Sequence, residues 1–377
     1  MIKYKPQKTF DVIIIGAGLS GLICASLLKK QNLKVALVES QNLAGHSHHQ
    51  VQIGNGNYVD NTLRWIGGQP SYLELLELFN NALDLNLEFT KKPSIPVTYD
   101  NGKIKSFHGF GKTTPSFYDQ ISSFFNSEEI EINKKWYEIV DQLIKFLDLD
   151  LYKQHLVSEI IFNDSSAAQG VLINGQHYWQ ASDVIFSGQP ADFVSLMPES
   201  KLTPRMRQHF KRPKLWTLVC VDFFHPQIIS NSLELHVLDG TTNDEFGPCL
   251  GRFEAAASKD LQVSQWMTLI PDEDADDNEI IAHAIKKIKK QIKRAYPETF
   301  NAHTTERIVV IPSGAGRLQD SQLKSSGQIK GLDHLWLSGA ALSDKAGVLR
   351  PIDQALSVVN ALIEHKSKLT ESNPQTL

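Results

Sequence analysis

The stretch DVIIIGAGLSGLICASLLKKQNLKVALVE, residues 11–39, leaves few folds open. A continuous β-branched run is followed by Gly16, Gly18 and Gly21 in GxGxxG spacing. A segment of helical character comes next, then a second apolar strand over 34–39 that ends in Glu39, 18 residues past Gly21. Strands that are apolar throughout, rather than at every second residue, belong to a parallel sheet covered on both faces. In such a unit Gly16 permits the tight turn, Gly18 lets the backbone approach a pyrophosphate, and Gly21 lets helix and strand pack closely. The unpaired N–H groups over Ala17, Leu19 and Ser20 face the phosphates. Glu39, with Ser40 beside it, accepts hydrogen bonds from adenosine ribose hydroxyls and repels a 2′-phosphate. Together these elements predict dinucleotide binding; a Rossmann-like unit without a ligand is the alternative.

A chain of 377 residues buries a large core and divides most naturally into two domains. With 41% hydrophobic and 21% charged residues it reads as globular, and a formal charge of −4 offers no basic excess for nucleic acid. Cys24, Cys220 and Cys249 form no CxxC pair, so a reducing, cytoplasmic setting is expected. The apolar run before Gly16 is too short for a secretory leader, and no stretch approaches the ~20 residues of a transmembrane helix.

Further along, 71–89 predicts a helix, YDNGK within 98–112 a hairpin, and 114–150 further helical pieces. Residues 157–188 suggest three short strands, and 215–270 a strand-rich block expected to form an antiparallel sheet. Within 271–297, Ile281, Ile285, Ile288 and Ile292 form one helical stripe behind an acidic run. The last unit reads strand, loop and helix from 334 onward, with 368–377 as a frayed tail.

Beyond the glycine loop, ESQNLAGHSHH, YVDNTLRWIGG, HLVSEIIFNDSSAAQGVLINGQHYWQASDVIFSGQP and LWLSGAALSDKAGVLRPIDQAL follow in order. In that order the chain resembles the superfamily of flavin-containing amine oxidases, carotenoid desaturases and protoporphyrinogen oxidases. The resemblance implies FAD held by three separated segments. Gly45 and His46 take the place of a glycine and a basic or polar residue, with Ala44 where a glycine is usual. Asp60 takes an acidic position, and Val157 is the adenine neighbour. Gly339 and Ala340 stand at a Gly-acid pair, with alanine replacing the acid. Gly347, Val348 and Leu349 match the chain passing beside the isoalloxazine, before a helix beginning near Pro351.

The implied architecture is α/β: a Rossmann-like FAD-binding domain with a parallel sheet, plus a second α+β substrate domain with a mainly antiparallel sheet. The first is expected to comprise 1–75, 151–200 and 311–367, the second 76–150 and 201–310. The implied activity is FAD-dependent oxidation of an amine, or desaturation of a C–C bond, in a small to medium, partly apolar substrate. O₂, a quinone or a protein would accept the electrons. A flavin-binding accessory protein with a degraded pocket, and a mutase-type flavoenzyme acting on a sugar nucleotide, are the alternatives.

Flavin chemistry needs orientation more than a fixed acid–base set, so the chemical candidates are fewer. An extended 45–50 segment would place His46 and His48 on one face and His49 on the other. His48 and His49 are candidates for touching cofactor or substrate. A metal site is not expected, because three histidines in four extended residues do not converge. Lys345 and Arg350 flank the expected flavin-passing loop, where a cation stabilises reduced flavin, with Asp344 as a possible salt-bridge partner. Arg64, Trp65, Trp216, Phe223, Phe224, Phe253 and Trp266 are candidates for the substrate pocket, with core packing as the alternative.

Overall fold

The computed structural model describes residues 5–53, 57–110, 116–125, 127–238, 248–255, 261–300 and 304–372. β1 (Lys8–Ile15) leads through the glycine turn into α1 (Leu19–Lys30) and β2 (Val35–Val38). The pair β3 (Gln50–Ile53) and β4 (Asn57–Asp60) precedes α2 (Pro70–Leu83) and β5 (Phe89–Pro93). The hairpin β6 (Val97–Asp100) and β7 (Lys103–Ser106) is followed by α3 (Tyr118–Ile121), β8 (Glu128–Ile132) and α4 (Trp136–Leu147). Then come β9 (Leu151–Tyr152), β10 (Val157–Phe162), β11 (Ala168–Ile173), β12 (His177–Phe186), α5 (Pro190–Leu196) and α6 (Pro204–Lys211). The second sheet draws on β13 (Trp216–His225), β14 (His236–Leu238), β15 (Cys249–Phe253), β16 (Gln262–Pro271) and, after α7 (Asn278–Ala295), β17 (Thr305–Ala315). β18 (Leu335–Leu337) and α8 (Leu349–Ser372) complete the described chain.

The first sheet runs β10-β11-β12-β1-β2-β9, with β18 also on β12. Pairing is parallel from β12 through β1 and β2 to β9, and between β12 and β18; β10, β11 and β12 form an antiparallel meander. On its edge away from β1, β12 serves two neighbours: His177–Gln180 pairs with β11 and Val184–Phe186 with β18. The continuous apolar character of β1 is explained by its two faces. Val12 and Ile14 pack with α1 and α8, while Ile13 and Ile15 pack with Phe193, Met206 and Phe210 of α5 and α6.

The second sheet runs β17-β13-β16-β15-β14-β6-β7 and is antiparallel except where β14 meets β6. Its two faces also divide by alternation. Cys220, Leu250, Met267 and Leu269 join a cluster with Leu63 and Trp65, whereas Val221, Phe223, Phe253 and Trp266 pack against Ile288 and Ile292 of α7. The architecture is therefore the expected α/β unit joined to a mainly antiparallel α+β unit.

Several element boundaries differ from expectation. The helix expected over 71–89 ends at Leu83, because Asp84 turns into the left-handed region at φ 52°. The Asn101–Gly102 turn has both residues at positive φ, the twist that joins adjacent strands without splaying them. The acidic run before α7 divides its work. Asp277 caps the helix by accepting from the Glu279 and Ile280 N–H groups, while Asp272 accepts from Thr217 and from Ser313 of β17. The frayed tail expected from 368 is helical through Ser372; 373–377 lie outside the described residues, as do 111 and 112 of the expected hairpin stretch. β17 itself is not among the expected strands.

Candidate functional site

The carboxyl ends of β1, β12 and β18 meet at one point, where parallel α/β sheets bind their ligands. Gly16 turns there at φ 98°, and the Ser187 hydroxyl after β12 donates to the Ile15 and Gly16 carbonyls at 3.0 and 2.7 Å. Ser338 N, after β18, donates to the Phe186 carbonyl at 2.7 Å, and the Ser20 side chain bonds Ser338. The Ser20 hydroxyl is thus used for packing, which leaves its backbone N–H at the start of α1. That helix start carries no side-chain cap.

The three loop glycines differ in what surrounds them. A Cβ at Gly21 would overlap the Gly16 carbonyl oxygen and lie 2.7 Å from Ser187 Oγ. A Cβ at Gly18 would meet only His46 Cβ, at 3.9 Å. Gly21 is therefore required by packing, whereas Gly18 faces open space before the helix end, the space a phosphate occupies in this motif. Gly339 also approaches backbone closely, since a Cβ there would lie 2.7 Å from the Gly188 carbonyl oxygen. Ala340 begins a short 3-10 turn after it.

Glu39 is partly exposed at the end of β2. Its carboxylate accepts from Ala17 N and Gln41 N, each at 2.8 Å, and from the Ser40 hydroxyl at 3.2 Å. The segment leading to Val157 runs beside it, through Gln154 N to the Gln41 carbonyl and His155 N to the Glu39 carbonyl. Glu39, Ser40 and the approach to Val157 thus lie together at one edge of the loop.

The histidine segment is not extended. Gly45 adopts φ 96° and His46 φ 48°, and residues 46–48 form a 3-10 turn. The expected division of faces is replaced: His48 is buried, and His49 folds back so that its Nδ1–H donates to the His46 carbonyl at 2.6 Å. Gly45 N donates to the Ala17 carbonyl at 2.8 Å, which seats the turn on the glycine loop. Burial pushes the His48 pKa well down, with Arg64 adding to the effect; desolvation also lowers His46, against the pull of Glu39. His48 is therefore a neutral imidazole, and its Nε2 has no hydrogen-bond partner among the described residues. Arg64 donates to the Ser47 carbonyl, while its Nε is likewise buried and without a partner.

Arg64 leads to a small cavity between one face of the second sheet and the turn before α8. Its walls include Thr62–Trp65, Phe124, Leu218, Cys220, Met267, Leu269, Gly347 and Val348. Cys220 is an apolar wall and not a nucleophile, since burial pushes its thiol up to about 12. Of the expected pocket aromatics, Trp65 lies on this wall, and Trp216 packs edge-on to Phe117 at 5.6 Å. Phe223, Phe253 and Trp266 belong to the core against α7, and Phe224 is partly buried beside Val59 and Val263. Leu218, Cys220, Met267 and Leu269 were missed; alternation along the two strands was the signal that pairs them.

Gly347 (φ 56°), Val348 and Leu349 lie at the start of α8, with Gly347 and Val348 on the cavity wall. Lys345 is partly exposed and paired with Asp344 at 3.3 Å. Arg350 is buried and donates to the Ser313, Gly314 and Gly316 carbonyls. Burial lowers its pKa to about 10, so it remains charged at neutral pH. It fastens the end of β17 behind the cavity. The structure therefore gathers Gly16–Gly21, Glu39, Ser40, Gly45, His46 and Gly339 around the glycine loop, with His48 and Arg64 leading to the cavity. Lys345 and Arg350 are held by partners of their own.

Comparisons place this geometry among known proteins. The model of an NAD(P)-binding Rossmann-like domain matches residues 14–82. An L-amino acid dehydrogenase of Synechocystis sp. is 33% identical over 107 residues, 28% of this chain and 22% of that protein. A flavin-containing amine oxidase of Oncorhynchus mykiss is 33% identical over 103 residues, 27% and 19% of the two chains. These matches therefore span about a fifth of the relatives' length. An oxidoreductase structure from Methanosarcina mazei aligns with a TM-score of 0.67 at 13% identity, covering 94% of this chain and 99% of that one. Wild-type putrescine oxidase bound to putrescine aligns at 0.64 and 13% identity, covering 96% and 99%. No helix among the described residues is long and apolar enough to cross a membrane. Over nearly its whole length the chain shares the fold of these solved structures, and over 28% of it the sequence is similar to an L-amino acid dehydrogenase and, over 27%, to a flavin-containing amine oxidase.

Proposed function

We propose that this chain is a cytoplasmic FAD-dependent oxidoreductase that oxidises a C–N or C–C bond of a small to medium, partly apolar molecule. One juxtaposition carries the reading. The open Gly18 turn, Glu39 and the 338–340 segment converge at the strand ends, and Arg64 links them to an apolar cavity. The residues fit the cofactor: the helix start has free N–H groups, a Cβ at Gly18 would fill the phosphate space, and His48 Nε2 is partnerless. When bound, FAD supplies the acceptor for a hydride equivalent.

The chain's own residues then bind and orient. Backbone N–H groups of Leu19 and Ser20 hold pyrophosphate, Ala17 N fixes the Glu39 carboxylate beside them, Glu39 with Ser40 holds ribose, and Val157 flanks adenine. Gly45, His46, Gly339 and Ala340 line the phosphate and ribityl path, and Gly347–Leu349 line the ring. His48 offers a neutral imidazole, and His49 presents a ring oriented by its bond to the His46 carbonyl. Lys345 supplies positive charge near the ring, and Arg350 positions the 313–316 turn. Leu218, Cys220, Met267 and Leu269 exclude water. We assign 1–75, 151–200 and 311–367 to the cofactor domain and 76–150 with 201–310 to the substrate domain.

The test is purification without added cofactor, then a visible spectrum and anaerobic titration with putrescine, cyclohexylamine and L-amino acids. A yellow protein bleached by one of these is expected. A colourless protein that takes up no added FAD would sink the reading.

A further inference from the structure

A second cavity, of about 310 Å³, shares only Arg64 and Trp65 with the ring-side cavity, so this segment is a wall between the two. Its other sides come from β4, β8, the turn before α4, and β15. The volume lies at the small end of ligand pockets, with ample room for a molecule the size of an amino acid.

Most of its charged groups already have partners. Glu138 accepts from Lys135 N at 2.6 Å and Asp60 from Tyr137 N at 3.0 Å, both at the start of α4. Lys134 donates to the Leu85 carbonyl at 2.5 Å, and Glu131 pairs with Lys92. Glu254 accepts from Arg252 Nε at 3.0 Å and lies 3.7 Å from Lys135 Nζ.

Three groups stand out: Arg64, whose buried Nε has no partner among the described residues, Glu129, whose ion pair is long, and Trp65. The Glu129 side chain is 13% exposed, and its nearest cation is Arg252 Nη1 at 3.8 Å, beyond hydrogen-bond reach. The Trp65 residue is 5% exposed, and its indole N–H is buried without a partner among the described residues. Between them stands Arg252, its guanidinium 5.4 Å from the Trp65 ring centroid. A carboxylate held only by a long ion pair and a buried donor without an acceptor each cost free energy. A ligand carrying a cation and an anion a few bonds apart satisfies both at once.

We propose that this cleft binds a small zwitterion, its ammonium on Glu129 and its carboxylate on Arg252 and the Trp65 N–H. A simple anion would meet Glu129 and Glu254, and a simple cation would leave the Trp65 N–H unanswered. Burial pushes the Glu129 carboxyl up to about 7, Arg252 opposing and Glu131 and Glu234 reinforcing, as befits a carboxylate that lacks a close cation. The inference stands apart from the flavin reading, because the cleft is complete without it.

The experiment is calorimetric titration of the protein as purified with L-alanine, with propylamine and propionate as single-charge controls. Alanine is expected to bind, each control at least about tenfold more weakly. Glu129→Gln, of nearly the same shape, is expected to weaken alanine at least about tenfold while leaving the melting transition intact. No heat with alanine, or a control that binds as tightly, overturns the proposal on the wild-type protein alone, whatever the variant's folding. Alanine bound equally well by folded Glu129→Gln would occupy another site and overturns it too. Neither result depends on whether the protein is yellow.

Discussion

The two walls of the candidate site are built by opposite means. The glycine loop is held by sterics among neighbours: Gly21 lies against Gly16, and the turn is closed by Ser187. The facing 60–65 segment is held by charge and amide groups from far along the chain. Gln265 donates to the Asp60 carbonyl at 2.9 Å and to Asp222 at 3.2 Å, and Arg307 bonds both Asn61 and Asp222, the latter at 2.5 Å. The first wall is therefore sensitive to a single methyl group and nearly blind to pH. The second tolerates shape better and responds to charge.

The largest expected effect is on the steric wall. Gly21→Ala places a methyl on the Gly16 carbonyl and is expected to cost more than about 4 kcal/mol, abolishing the cooperative urea transition. A variant that unfolds at nearly the wild-type midpoint would break the comparison.

Acid acts next, and on the other domain. His225 and His236 are buried, and burial lowers both to about 4. Their folded pKa values lie below the unfolded value of about 6.5, so protonation favours the unfolded chain. The stability is complete above about pH 6.5 and falls as the pH approaches 4, by about 3 kcal/mol for each histidine. Urea midpoints between pH 7 and 4 measure this. His236→Gln, facing Tyr296 at 2.6 Å, is expected to flatten the slope; an unchanged slope sets the assignment aside.

Arg307→Ala is expected to cost about 3 kcal/mol by leaving Asp222, which is 1% exposed, without its cation. Burial raises the Asp222 pKa even with Arg307 present. A raised acid loses stability as the pH rises through its folded pKa, so the variant is expected to be worse at pH 8 than at pH 5. Equal losses at both would count against a charge-held wall.

The smallest effect on folding comes from Gly18→Ala, whose methyl meets nothing closer than 3.9 Å. Its stability is expected to change by under about 0.5 kcal/mol, while its Kd for FAD rises at least about tenfold. Unaltered affinity in a flavin titration would show that no phosphate sits against Gly18.

The β1–turn–α1–β2 unit and Glu39 were legible because each rule there acts within about 20 residues. Strand hydrophobicity, glycine spacing and a terminal acid all refer to one another locally, and the order of the later segments carried the architecture. The histidine turn was not legible as a shape: its conformation depends on Gly45 docking against Ala17, and on burial of His48 beside Arg64. Arg350 read as a charge beside a ring, yet its guanidinium is spent on the Ser313, Gly314 and Gly316 carbonyls of a strand that was itself unread. The sequence alone determined the Rossmann-like unit, the two-domain α/β architecture and the place of the glycine loop, because short-range periodicity and backbone geometry suffice for them. Tertiary structure alone decided which face of β13 and β16 lines the cavity, which charges have partners, and that Arg64 and Trp65 divide two cavities. Those outcomes depend on desolvation and on contacts between residues more than two hundred positions apart, such as Asp60 and Gln265.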